Sequence, residues 1–418
     1  MKQLQRLSSL RSRLLILLAV IGPGIITANV DNDAGGITTY SVAGAHYGYS
    51  LLWMMPLVAL ALIIVQEMSA RLGVVTGKGL ADLIRESMGV RATFAIIGIL
   101  LIANLANTVS EFAGVAASLE IFGISKYISV PLVAAGVWLL IVKGNYCSVE
   151  RVFLIASALY LAYVASGILA DPPWQTVSQA LLTPSFRFES GYVVIAITII
   201  GTTIAPWMQF YQQSSIVDKG LKAEDYVYER IDVIVGSLFA VFVAAFITIA
   251  CAATLFAHGL RIDAAEDAAR ALRPLAGNYA STLFALGLLN ASVFAAAILP
   301  LSTAYVVCEA FGWEAGVSRD LREAPAFFTI YTALIVLGAG AILLPIKSLV
   351  QAMMASQTLN GVLLPVILVV MLRLINDKQL MGRFANGPLL NVISWAMVVL
   401  LIALTAILLV TTLFPGLL

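Results

Sequence analysis

Eleven stretches of this chain are apolar over the length a helix needs to cross a bilayer, about 20 residues. They lie near 13–44, 49–70, 92–121, 128–143, 151–170, 190–217, 227–257, 279–308, 325–345, 347–374 and 389–416. In hydrocarbon every backbone N–H and C=O must be paired internally, so runs this long become helices. The chain is 61% hydrophobic and 11% charged, against about 25% charged in soluble domains. The expected fold is therefore an all-α integral membrane protein with eleven transmembrane helices, short polar loops and the lipid bilayer as its solvent. The first apolar run continues to Val30 without a small-residue cleavage site, so it reads as span 1 and not as a removed leader.

Lysine and arginine orient the bundle. With the N-terminus in the cytoplasm, 18 of the 24 basic residues fall on the cytoplasmic side, among them Arg71, Lys78, Lys219 and Arg319. The other 6 are Lys126, Arg187, Arg261, Arg270, Arg273 and Lys347. This bias places the C-terminus outside, and the short loops favour a bacterial plasma membrane. Five spans followed by five more form halves of opposite topology. The single transporter domain, 1–418, then comprises inverted repeats over about 13–171 and 190–374 with helix 389–416 appended.

Several function classes drop out. Cys147, Cys251 and Cys308 are far apart in sequence and suggest neither a disulfide framework nor a zinc site. There are two histidines, and no Ser/His/Asp set, HExxH or Walker loop, so no enzyme and no cofactor is expected. No basic aromatic patch points to nucleic acid. Nothing in the chain calls for assembly beyond a monomer.

Two interruptions break the apolar pattern at matching places. Span 1 contains Asp31-Asn32-Asp33-Ala34-Gly35-Gly36, and span 6 contains Gly201-Thr202-Thr203-Ile204-Ala205-Pro206. Carboxylates are expensive inside a membrane and mark functional sites by default. Breaks at corresponding positions of two halves point to a midplane substrate site. Unwound backbone frees carbonyls that serve a cation, and helix C-terminal ends add partial negative charge. Asp33 adds a full charge, Gly35 and Gly36 relax the backbone, and Pro206 removes a helix hydrogen bond and restricts Ala205. The combination predicts a cation site halfway through the bilayer. Asp31 is a second carboxylate that either lines the path or only shapes the helix break. Asn104, Asn107 and Asn290 read as hydrogen-bonding glue between helices. His46 and His258 read as span-end residues. Gln209, Gln212 and Gln213 line an aqueous vestibule or form the polar face of a helix end.

At these residues the chain resembles the Nramp family of divalent-metal transporters, whose fold is of the leucine-transporter type, with a 5+5 inverted repeat and broken helices 1 and 6. The resemblance runs through Gly22-Pro23, Ala43 to Tyr49, Arg71 to Leu80, Glu111-Phe112-Ala113-Gly114, Ser356-Gln357 and Asn376 to Gly382. The family's Asp-Pro-Gly-Asn falls on Asp33-Ala34-Gly35-Gly36, so the aspartate is kept and the asparagine ligand is lost. The family's Met-Pro-His falls on Ala205-Pro206-Trp207, which removes the methionine ligand and the histidine assigned to proton movement. Thr108 stands where the family has an aspartate, three residues before the retained Glu111, and span 9 lacks the arginines of the proton path. The resemblance implies backbone carbonyls from Val30 and Thr202 at the metal, a metal-facing Gln357 with Asn360 one turn on, and a cavity-shaping role for Trp207.

Loss of the soft thioether removes a preference for transition metals, and loss of the amide is expected to enlarge the site. Mg²⁺ is hard and keeps several waters. The pattern looks like the Nramp-related magnesium transporters, carrying Mg²⁺ and secondarily Mn²⁺ as partly hydrated ions. Thr108, Trp207 and an apolar span 9 interrupt the proton relay, so uptake is expected to be uncoupled. Glu111 remains able to titrate. The rival readings are an ordinary proton-coupled Mn²⁺/Fe²⁺ transporter and an organic-substrate carrier on the same scaffold.

Overall fold

The computed structural model describes residues 27, 30–143, 155, 157–187, 189–262, 265–272, 277–345 and 348–413. Gly22, Pro23 and Cys147 lie outside the described residues, as do most of the first half of span 1 and the start of span 5. The helices are α1 (Ala34–Tyr47), α2 (Met54–Thr76), α3 (Leu80–Glu120), α4 (Lys126–Lys143), α5 (Leu161–Leu169), α6 (Trp174–Leu182), α7 (Ser190–Thr203), α8 (Pro206–Asp218), α9 (Tyr226–Thr254), α10 (Ala280–Phe311), α11 (Pro325–Leu343), α12 (Leu349–Asn376) and α13 (Pro388–Leu413). Short helical turns fill some connections, and no strand occurs among the described residues. Nine spans among the described residues are long and apolar enough to cross a membrane, with α7 and α8 together forming one of them. Helices α1 and α5 belong to the remaining two, spans 1 and 5.

Two elements depart from the sequence expectation. Helix α3 starts at Leu80, well before the predicted 92, and bends at Gly89 (φ 76°, ψ 172°). That positive φ is accessible to glycine at little cost. The connection after span 5 carries the unpredicted helix α6. Its Trp174, Val177 and Leu181 line an apolar groove with Met55 of α2 and Phe242 of α9. A nine-residue amphipathic helix is too short to register as a span, so hydropathy alone passes over it.

The breaks follow from local chemistry. Pro206 occupies the first turn of α8, where its missing N–H has no intrahelical partner to lose. Ala205 before it is extended (φ −69°, ψ 141°), as a residue preceding proline prefers. In span 1, helix α1 begins at Ala34 with Asp33 as its N-cap.

Burial sorts the helices into a centre and a rim. In the broken span 6, 94% of the most apolar stretch is buried, against 28% in α4 and in α13. Span 6 is thus surrounded by protein, while α4 and α13 turn residues such as Leu132, Leu139, Leu400 and Ile402 outward, toward lipid. Helices α7 and α12 approach most closely at two glycines. A Cβ on Gly201 would lie 2.2 Å from the Gln357 carbonyl and 2.3 Å from the Gly361 nitrogen. One on Gly361 would lie 2.6 Å from the Ile197 carbonyl. Small residues allow this backbone contact between membrane helices, and it carries Gln357 to the span-6 break.

Gly361→Val should lower the melting temperature of the detergent-solubilised protein, by an overpacking cost of about 1–3 kcal/mol. Gly340→Ala, at an exposed position with nothing within 4 Å of the added carbon, should leave it unchanged.

Candidate metal site

The two breaks meet in the interior, and Asp33 is the side chain at their junction. Its Oδ1 accepts from the Gly36 N–H at 2.6 Å, which satisfies one of the unpaired donors at the start of α1. The Ala34 N–H donates to Glu111 Oε2 of α3 at 3.2 Å. Two carboxylates therefore converge on one half-helix N-terminus, whose partial positive charge favours them.

On the other side of Asp33, the Gln357 Nε2 donates to Oδ2 at 3.3 Å and to Oδ1 at 3.5 Å. Its amide is oriented by a chain of neighbours. Asn360 Nδ2 donates to Gln357 Oε1 at 2.9 Å. Asn360 and Asn107 then exchange two hydrogen bonds, each of 3.0 Å. Gln357 accordingly shows its nitrogen to Asp33, and its oxygen is committed to Asn360. Asn104, the other expected interhelical residue on α3, donates to Thr303 Oγ1 of α10 at 2.8 Å.

The carbonyls at the end of α7 supply further oxygen. Ile204 N donates to the Ile200 carbonyl at 2.9 Å, and the carbonyls of Gly201, Thr202 and Thr203 belong to the last helical turn, which lacks i+4 partners. Thr202 Oγ1 is buried without a hydrogen bond. The Ala205 carbonyl accepts from Met208 N at 3.1 Å. With its amide turned to donate, Gln209 also reaches the carbonyls of Ala205 and Pro206 at 2.8 and 2.7 Å. Val30 is helical and buried immediately before the first break.

The space expected from the missing span-1 amide is not open in this conformation. A Cβ on Gly36 would lie 2.5 Å from the Asp31 carbonyl and 3.2 Å from Thr202 Oγ1. One on Gly35 would meet Gln357 Nε2 at 2.1 Å. Backbone and amide close in where side chains are absent.

The remaining expected residues divide into two groups. Asp31 is buried with both carboxylate oxygens unbonded, and Asn32 Nδ2 donates to the Ala240 carbonyl of α9 at 3.3 Å. Thr108 instead turns back on its own helix, donating to the Asn104 carbonyl at 2.8 Å. Its methyl lies 2.6 Å from where a Cβ on Gly338 of α11 would sit, so the α3–α11 seam there is tightly closed. Trp207 is fully buried and packs on Tyr211, with ring centroids 6.2 Å apart. Among the described residues no three His, Cys, Asp or Glu side chains gather as a metal-binding group. A cation at Asp33 would need backbone oxygen and water to complete its coordination.

Asp33 is only 4% exposed, so its carboxylate is enclosed by protein. At the end poorer in Lys and Arg, a cavity of about 340 Å³ lies between α1, α7 and α12, lined in part by His46, Ile195, Gln351 and Met354. The Thr38 hydroxyl donates to Met353 Sδ at 3.6 Å, joining α1 to α12 between this cavity and Asp33. At the basic end, a cluster of contacts around Arg71 was missed by sequence reading. Arg71 pairs with Glu67 at 3.1 Å and also donates to the Phe384 carbonyl at 3.0 Å and to Asn386 Oδ1 at 2.5 Å. Tyr226 donates to the other Glu67 oxygen. These contacts tie α2 to α9 and to the segment before α13. Arg71 lay within a block carried by the family resemblance, and Glu67 is one turn away, but its partners Phe384 and Asn386 are distant in sequence.

A family model described as natural resistance-associated macrophage protein-like matches residues 24–411. The divalent metal cation transporter MntH of Ralstonia nicotianae is 30% identical over 402 residues, covering 91% of this chain and 88% of that protein. MntH of Bacillus subtilis is 26% identical over 409 residues, covering 95% and 93%. Among solved structures, a manganese transporter of Eremococcus coleocola, in complex with an aromatic bis-isothiourea compound, superposes with a TM-score of 0.75 at 23% identity, covering 93% of this chain and 85% of that one. Mhp1, a nucleobase-cation-symport-1 family transporter, superposes with a TM-score of 0.62 at 14% identity, covering 93% and 89%. The fold is the leucine-transporter type with broken helices 1 and 6.

Arg71→Ala strands the buried Glu67 carboxylate without its cation. The melting temperature should fall by the equivalent of about 3 kcal/mol, and adding Glu67→Gln should recover part of the loss. Equal losses in the single and double variants would show that the pair is uncoupled.

Proposed function

The chain belongs to the Nramp family of membrane transporters, and on that premise we propose that it takes up divalent metal ions, Mg²⁺ foremost and Mn²⁺ second, as partly hydrated ions and without proton coupling. Members of this family are transporters and not enzymes. The observation that carries the reading is the donor set at the breaks. It comprises one capping carboxylate, Asp33, and the oxygens of the last α7 turn, with alanine at 205 where a sulfur ligand would confer softness. Hard oxygen donors and retained waters suit Mg²⁺ and Mn²⁺.

Each residue then has a role. Asp33 binds the ion, with the Val30 and Thr202 carbonyls holding it or its waters. The Ala205 carbonyl joins when the Gln209 amide lets go. Gln357 positions the Asp33 carboxylate through its N–H, and Asn360 and Asn107 hold that amide in register. Gly36 lets the two breaks close on each other after the ion leaves. Asp31 lies on the exit side, and Trp207 walls the path.

Support for uncoupled movement comes from Thr108 and Trp207. A relay needs consecutive titratable or hydrogen-bonding groups. Thr108 bonds to its own helix and abuts α11 at Gly338, and Trp207 is packed against Tyr211. Glu111 is held by the Ala34 N–H, with its Oε1 unbonded. Its role in this reading is to brace α1. The driving force is then the inside-negative potential of a bacterial plasma membrane, about 4.6 kcal/mol per 100 mV for a dication. That alone supports accumulation on the order of a thousandfold. The N-terminus is cytoplasmic and the C-terminus extracellular, as the lysine and arginine bias requires.

In proteoliposomes holding a potential, Mn²⁺ influx should proceed without acidification of the lumen, and millimolar Mg²⁺ should compete with it. Acidification in step with Mn²⁺ would favour the proton-coupled alternative. Asp33→Ala should abolish influx, whereas retained influx would defeat the cation assignment. Ala205→Met should raise Mn²⁺ selectivity over Mg²⁺ at least tenfold by adding a soft ligand; unchanged selectivity would remove position 205 from the site.

A further inference from the structure

Below the breaks, toward the basic end, helix α9 turns a polar stripe into the protein. Glu229, Asp232, Ser237 and Ala240 recur at helical spacing and are all buried. Asn32 donates to the Ala240 carbonyl at 3.3 Å, so Ala240 marks the level of the span-1 break. Asp232 lies eight residues below it and Glu229 eleven, or about 12 and 16 Å along the helix axis.

Glu229 is fully buried, and neither of its carboxylate oxygens has a hydrogen bond. A buried carboxylate left in this way is costly. Gln212 of α8 is also fully buried with no hydrogen bond of ordinary geometry to its amide, and it lies near enough to Glu229 to act on that carboxylate. Asp232, one turn along the same face, Lys219 and Asp225 are among the charged groups near Glu229. Ser237 Oγ and both oxygens of Asp31 are likewise buried and unbonded, and these residues lie between this cluster and Asp33.

We infer that Glu229, Asp232 and the Gln212 amide oxygen form a second divalent-cation site, between α8 and α9, where the ion pauses on its way from Asp33 to the cytoplasm. The donors are all oxygen, which suits the same hard, partly hydrated ion. Two carboxylates at i and i+3 share a helix face and reach one point, and the dication removes their mutual repulsion. Lys219 would hold the cluster closed once the ion has left. This inference rests on the cation reading of Asp33 for its sequence of events, but not for the site itself.

Isothermal titration of the purified full chain with Mn²⁺ separates the two. The wild type should bind two ions, Asp33→Asn one, Glu229→Gln/Asp232→Asn one, and the triple variant none. Melting temperatures and gel filtration should report that each variant is folded. If the double variant does not fold, each single substitution at 229 or 232 should weaken one of the two binding steps at least tenfold and spare the other. A Glu229→Gln/Asp232→Asn protein, or both single variants, titrating like the wild type would overturn the second site. An Asp33→Asn protein that still binds two ions would overturn the Asp33 assignment and leave the second site standing.

Discussion

A carboxylate buried in the middle of a membrane protein has to be stabilised by something, and the architecture around Asp33 is built to do it. The broken span 1 offers the unpaired N–H groups of a helix start, and Gly36 donates to Asp33 at 2.6 Å. The amide of Gln357 lies on the carboxylate from α12, and the close approach of α7 to α12 at Gly201 and Gly361 places it there. Removing the aspartate would leave an uncapped half-helix and an amide donor without its acceptor. The break, the glycine contact and the amide chain therefore act together, and none is explained by packing alone.

The same arrangement explains why the site can change state. Its hydrogen bonds to Asp33 at 3.3 and 3.5 Å are long and have room to exchange for water-bound cation. The closures at the two ends differ in kind. Toward the end poorer in basic residues the contact is a single hydroxyl-to-sulfur bond between Thr38 and Met353, which is weak. Toward the basic end, Arg71, Glu67, Tyr226 and Asn386 form a connected network. Breaking a buried ion pair costs several kcal/mol, so the contacts at the basic end are the harder ones to separate.

Much of this was legible in the chain before any coordinates. Spans follow from apolar length because bilayer thickness fixes it. The breaks followed from Asp33, the Gly35-Gly36 pair and Pro206, each of which has a local reason to disrupt a helix. Asn104 and Asn107 declared themselves as interhelical polar residues, but their partners Thr303 and Asn360 did not. Those pairings depend on which helix faces which, and the apolar period does not say. Gln357 was read as metal-facing, yet which end of its amide points inward depends on Asn360, one turn away. The roominess expected at Gly36 failed because glycine also lets backbones approach. Glu229 and Asp232 were passed over because they stand at the start of span 7, where charge is ordinarily solvated. Their helical spacing with Ser237 and Ala240 was the available signal, and burial gave it meaning.

The account stands on the ion sitting at Asp33. An anomalous difference map of crystals soaked in Mn²⁺, recorded at the manganese edge, tests this most directly. The account predicts a peak at the junction of the two breaks, beside the Asp33 carboxylate and the last turn of α7, with Gln357 displaced from or turned about that carboxylate. A protein that transports Mn²⁺ yet shows its peak elsewhere, with Gln357 still bonded to Asp33, would contradict it.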